Sequence, residues 1–91
     1  MFNGLNQFQE KSVRLSYEGK LHLSPILLDN FHYEEYDNSI CLYSNGDNIA
    51  MVWKEDVKSV ETYDETILIN FKDSSYIILG SEVDYDENTN I

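Results

Sequence analysis

The chain has 91 residues, 17 of them acidic against six basic, and a formal net charge of −11 at pH 7. That length allows one domain with a thin core and no deep cleft between domains, which favours a binding module over an enzyme. The charge argues against direct contact with nucleic acid or an anionic membrane, since both need Lys and Arg to meet phosphate.

With 42% hydrophobic residues, including seven Tyr and four Phe, the chain belongs to the folding rather than the disordered class. Cys41 is the one cysteine, so no internal disulfide is possible and a reducing compartment is expected. The start MFNGLNQFQEK lacks the basic and apolar segments of a signal peptide, and no run is long enough to span a bilayer. Both point to the cytoplasm of the host cell.

In chain order, Phe2, Leu5 and Phe8 recur at spacing three, which predicts one or two helical turns lying across an open barrel end, with a loose arm as the alternative that Asn3, Gly4 and Asn6 leave open. From Lys11 the period becomes two. Val13, Leu15 and Tyr17, then Leu21 and Leu23, predict a hairpin turning at Glu18-Gly19 and ended by Ser24-Pro25. Residues 26–37 read as one bent strand in which Phe31, Tyr33 and Glu35 share a face and His32, Glu34 and Tyr36 form the wet one. Residues 40–43 and 48–53 make a hairpin about Asn45-Gly46, the strongest turn signal present. Residues 54–58 predict a single helical or 3-10 turn before Val60 resumes an extended chain, and residues 61–65 a polar bend. The run TILINFKDSSYIILG, residues 66–80, is the densest β-forming stretch and reads as a central hairpin about residues 72–75. Residues 82–91 form an acidic edge strand or tail, with Glu82, Asp84 and Asp86 on one side of an extended chain and Val83 and Tyr85 on the other. The expected architecture is therefore all-β: a small antiparallel barrel or sandwich of six or seven strands, with the domain over residues 1–81 and the acidic segment after it.

Chemistry-bearing patterns are sparse. His22, His32 and Cys41 stand about ten residues apart, unlike a compact zinc set, and Asp84-x-Asp86-x-Asn88 imitates only the opening of a calcium loop. The paired acids Glu34-Glu35 and Asp64-Glu65 are adjacent in sequence, so on a strand they face opposite ways and cannot converge on one bond. Neither a catalytic constellation nor a phosphate-cradling glycine loop emerges, and no metal or cofactor is expected.

What stands out is acid interleaved with tyrosine: Tyr33-Glu34-Glu35-Tyr36-Asp37, Glu61 to Glu65, and Glu82-Val83-Asp84-Tyr85-Asp86-Glu87. From residue 21 to residue 53 there is no Lys or Arg. Carboxylates two residues apart on a strand stand about 6.6 Å apart, comparable with the phosphate repeat of DNA, which advances about 3.4 Å per phosphate along each strand. A sheet of this kind could fill a basic groove built for DNA, with tyrosines as anchors. Acids on strand edges also discourage aggregation, which is the plainer reading of the same residues.

In size and in these acid-aromatic segments the chain resembles the small acidic inhibitors encoded by phages and other mobile elements, including anti-CRISPR and anti-restriction proteins. Those families share no motif, so the resemblance implies only a class of partner. In its order of hairpin, bent strand, hairpin, short turn and strand it also resembles Sm-like and SH3-like small barrels, without the residues with which Sm proteins bind RNA. The expectation is a non-enzymatic inhibitor occupying a basic surface of a nucleic-acid-handling defence protein such as a CRISPR nuclease. Its contacts would be Glu34, Glu35, Asp37, Asp64, Glu65, Glu82, Asp84, Asp86 and Glu87, with Tyr33, Tyr36 and Tyr85. The rival is an assembly module that forms a homo-oligomer through its strands.

Overall fold

A computed structural model describes residues 1–81; the acidic segment 82–91 lies outside the described residues. Eight strands follow one another: β1 (Val13–Glu18), β2 (Ile26–Leu28), β3 (His32–Glu35), β4 (Ser39–Ser44), β5 (Asp47–Trp53), β6 (Val57–Tyr63), β7 (Thr66–Phe71) and β8 (Tyr76–Ser81). They form two antiparallel sheets, one in the order β2-β1-β8-β7-β6 and one in the order β3-β4-β5. The all-β, antiparallel expectation holds.

The β7–β8 hairpin is central, as its composition predicts. Ile67 pairs with Leu79 and Ile69 with Ile77, and all four side chains are buried. Leu68 and Ile78 occupy the other face and are only half-buried. Asp73 closes the turn by accepting hydrogen bonds from the backbone N–H of Ser75 (2.9 Å) and from its hydroxyl, an Asx-type arrangement.

Spacing three at the N-terminus is the period of a 3-10 helix, in which side chains three apart stand in one line. Asn3–Phe8 is such a helix, and Phe2, Leu5 and Phe8 are all buried. It ties the two sheets together. Gly4 lies so close to Thr62 and Ile67 that a Cβ there would sit 2.6 Å from Thr62 Cγ2, and Gln7 donates to Tyr63 O (3.2 Å) while accepting from the Glu65 N–H (2.7 Å). On the other side Phe8 meets Phe31 edge-on, with ring centroids 6.2 Å apart.

Two sequence expectations are corrected. The hairpin over residues 13–23 does not form: Glu18 and His22 make an isolated bridge, and Leu21 and Leu23 are exposed. Strand β1 instead returns through β2, with Val13 opposite Leu28, and lies along β8 on its other edge. The register is locked beyond the strand, because Phe31 N–H donates to Lys11 O (3.0 Å) and Glu10 N–H to Phe31 O (2.8 Å). This pairing buries Leu28 and Phe31 fully, whereas pairing β1 with residues 20–23 would leave residues 26–28 without a ladder. Residues 26–37, read as one bent strand, are two strands in different sheets, which raises the count to eight. Asp29 holds the corner: its N–H donates to Ser44 Oγ (2.9 Å), its carbonyl accepts from Asn45 N–H (2.9 Å), and its carboxylate accepts from Ser12 Oγ (3.0 Å).

Both sheets feed one core, in which Ile40, Leu42 and Val52 of the smaller sheet meet Val13, Leu28, Ile67 and Leu79 of the larger. The Asn45-Gly46 turn joins β4 to β5 with φ of 50° and 85°, the left-handed pair of a type I′ turn. Space is open around Gly46, so Gly46→Ala tests backbone conformation alone. Urea unfolding of that variant should show a loss of about 1–2 kcal/mol with an unchanged m-value. Leu5→Ala, by contrast, should cost about 2–5 kcal/mol by opening a cavity where the N-terminal helix enters the core.

Candidate partner-binding surface

Burial of Ile40 and Leu42 in the core turns the alternate residues of β4 outward, and the register carries that choice across the sheet. Glu34, Cys41 and Met51 form one row, because Glu34 pairs with Cys41 and Cys41 with Met51. Trp53 stands opposite Ser39, and Ile49 is the extra residue of a bulge between Tyr43 and Leu42 on the partner strand. Met51 (48% exposed), Trp53 (51%), Tyr36 (50%) and Ile49 (41%) leave this face unusually apolar for a surface. Cys41, flanked by Glu34 and Met51, is almost wholly covered.

At the β3 side of the face Glu34 is held by two phenols. Its Oε1 accepts from Tyr43 Oη at 2.7 Å and from Tyr36 Oη at 3.0 Å. The Tyr43 bond, then the Tyr36 bond, lowers the Glu34 pKa below its ordinary value of 4.5. The same bonds to Glu34 raise the pKa of both tyrosines, so the phenols remain protonated donors. Glu34 Oε2 has no partner among the described residues.

The other expected contacts are dispersed. Tyr33 turns toward the core, stacks on Phe31 at 6.4 Å and donates its hydroxyl to Asn6 Oδ1 at 2.8 Å. Glu35 accepts from Lys54 Nζ at 2.7 Å, so its charge is already matched. Asp37 is exposed in the β3–β4 turn, beside an open depression of about 270 Å³ lined by Asn38, Trp53, Lys54 and Glu55. Asp64 and Glu65 form the β6–β7 turn on the larger sheet, where Glu65 adopts φ 60° and its carbonyl accepts from Ser81 N–H at 3.0 Å. Glu82, Asp84, Tyr85, Asp86 and Glu87 lie outside the described residues. Of the twelve, then, Glu34, Tyr36 and Asp37 are exposed together on the smaller sheet, Glu34 and Tyr36 bonded to each other.

Sequence reasoning missed Tyr43, Met51 and Trp53. A signal was present: β4 alternates Ile40 and Leu42 with Cys41 and Tyr43, and the more polar pair marks the outer face, from which the hairpin register assigns Met51 and Trp53 to it. A second tyrosine–carboxylate pair exists on the larger sheet, where Glu61 accepts from Tyr63 Oη (2.7 Å) and Asn70 Nδ2 (2.7 Å). Both of its oxygens are therefore engaged. Among the described residues no group of three or more His, Cys, Asp or Glu side chains is arranged to hold a metal, and no helix is long and apolar enough to cross a membrane.

No family model matches the chain, and no curated protein or solved structure matches it significantly.

The Glu34 cluster has a pH signature. A carboxylate whose folded pKa is lowered adds stability that is present above the ordinary value of 4.5 and is lost as the pH falls through the folded pKa. Carboxyl-detected NMR should place the Glu34 midpoint below 4.5, and Tyr43→Phe, which removes the leading cause, should move it back up. An unchanged midpoint in that variant would show that the Tyr43 bond does not set it.

Proposed function

We propose that this protein is a non-catalytic binding module that seats an acidic, aromatic surface on the basic face of a protein that handles nucleic acid, such as a nuclease of a host defence system, and thereby inhibits it. The observation that carries this reading is the absence of any Lys or Arg from residue 21 to residue 53, a span that contains β2 to β5 entire. The strands of the smaller sheet thus carry only negative or neutral groups, with Lys54 after β5 reaching back to Glu35, and the outer face adds Tyr36, Met51 and Trp53, the side-chain types that anchor protein interfaces. In this reading carboxylates stand where the phosphates of a nucleic acid would lie, and the net charge of −11 draws the partner in from a distance. The protein itself touches no nucleic acid and transforms no substrate.

One observation favours a second reading, self-assembly. Leu21, Leu23, Ile26 and Leu27 are exposed together on the loop before β2 and on β2 itself, an edge strand of the larger sheet. Light scattering that showed a stable dimer or ring with no partner present would move the assignment there.

The test of the first reading is a pull-down with the tagged chain against purified candidate nucleases, washed at rising salt and challenged with duplex DNA. Capture should weaken steeply between about 0.1 and 1 M salt, over which the Debye length falls from about 10 to 3 Å, and DNA should displace the chain. Retention of the nuclease despite saturating DNA would exclude occupation of the nucleic-acid groove.

A further inference from the structure

Among the acidic side chains, the hydrogen bonding of Glu34 differs from that of its peers. Glu35 is neutralised by Lys54, Glu61 has both oxygens occupied, and Asp73 is turned back onto Ser75. Glu34 has one oxygen fixed by two phenol donors while the other has no partner among the described residues; Asp73 likewise takes both its bonds on Oδ1, but it lies in the β7–β8 turn of the larger sheet. The Glu34 rotamer is thus set before any partner arrives, so little ordering entropy remains to be lost on contact. Next to it run the exposed rings and thioether of Tyr36, Met51 and Trp53 over a covered Cys41.

We propose that this outer face of β3–β4–β5 is the docking surface for a protein segment that presents one arginine beside apolar side chains, with the guanidinium on Glu34 Oε2 and the flanking residues against Met51 and Trp53. The inference rests on the reading above and names its point of contact. Charge complementarity selects the occupant: nucleic acid and anionic lipid are repelled, and a second copy would bring a further charge of −11. Arginine fits better than lysine because its planar, weakly hydrated group stacks on aromatic faces while donating at its edge, whereas an ammonium keeps its water. Glu34 is itself exposed, so the pair tightens only as the segment's flanking residues settle on Met51 and Trp53 and exclude the water that would otherwise screen it.

The probe is a capped pentapeptide carrying one arginine between two leucines, titrated into the isotopically labelled full chain and followed by NMR. The expected result is saturable shifts at the Trp53 indole and the Tyr36, Cys41 and Met51 amides, weakened about tenfold or more when the arginine is replaced by citrulline. Glu34→Gln keeps an oxygen for the tyrosine donors while removing the charge, and should give the same loss with the rest of the amide spectrum unchanged. Trp53→Ala, at an exposed position, should weaken binding several-fold without affecting the fold. Shifts spread over all acidic segments, or equal binding by wild type and Glu34→Gln, would overturn the proposal, as would shifts at this face that follow protein concentration alone. The two readings fail separately: a nuclease captured equally by wild type and Glu34→Gln removes this site but leaves the proposed function, whereas an arginine-dependent peptide site with no nuclease capture does the reverse.

Discussion

Burial of Phe31 is the constraint on which the rest depends. It sits where the chain leaves the larger sheet for the smaller one, is fully buried, meets Phe8 edge-on and Tyr33 in a stack, and exchanges backbone hydrogen bonds with residues 10 and 11. An aromatic ring buried at a corner fixes more than a volume, because the parity of the following strand is counted from it. With Phe31 inward, Tyr33 packs on the core and His32, Glu34 and Tyr36 must point outward. The core therefore selects which acidic residue becomes part of the exposed face.

A thin core also limits how that face can be built. In a two-layer β domain each sheet gives one face to the interior, and in a chain of 91 residues little remains to cover the other. The larger sheet shields part of its exterior with Leu68 and Ile78 at half-burial beside polar neighbours. The smaller sheet leaves Met51 and Trp53 about half exposed on β5, an edge strand of seven residues that contains no Lys or Pro to block further pairing. Exposed carboxylates surround it, Asp37, Asp47 and Glu55 among them. Acidity and exposed apolar surface are thus two sides of one arrangement.

The hairpins over residues 66–80 and 40–53 and the N-terminal turn were legible because local chemistry specifies them: a polar four-residue turn, an Asn-Gly pair, and apolar residues at spacing three. The partner of β1 was not, because Val13 pairs with Ser81 at the far end of the described chain, and nothing local distinguishes that ladder from one with Leu21 and Leu23. Long-range strand pairing is decided by total burial, which a window of neighbouring residues does not contain. The candidate surface divides in the same way. Glu34 and Tyr36 share a strand period and could be read from it, whereas Tyr43 joins them diagonally across a strand pair, and Met51 and Trp53 arrive only through the register of β4 with β5. Glu35, next in sequence to Glu34, looked equivalent until Lys54 was brought to it by the turn after β5.

Charge and shape act at different stages of association. A net charge of −11 acts over a Debye length and, for the basic partner proposed above, would govern how often it is met, with little regard to which carboxylate supplies it. In the proposed complex, water would be excluded on contact and the short-range terms would decide its lifetime: the area under Trp53 and Met51, and a carboxylate that is already aimed. Glu34 belongs to this second stage because its position is held by bonds of 2.7 and 3.0 Å rather than by the general field. Scattered acids such as Asp64 and Glu65, in a turn on the other sheet, belong to the first. Solubility alone does not call for one carboxylate held between two phenols beside exposed Met51 and Trp53, and it is this arrangement on which the proposed recognition surface rests.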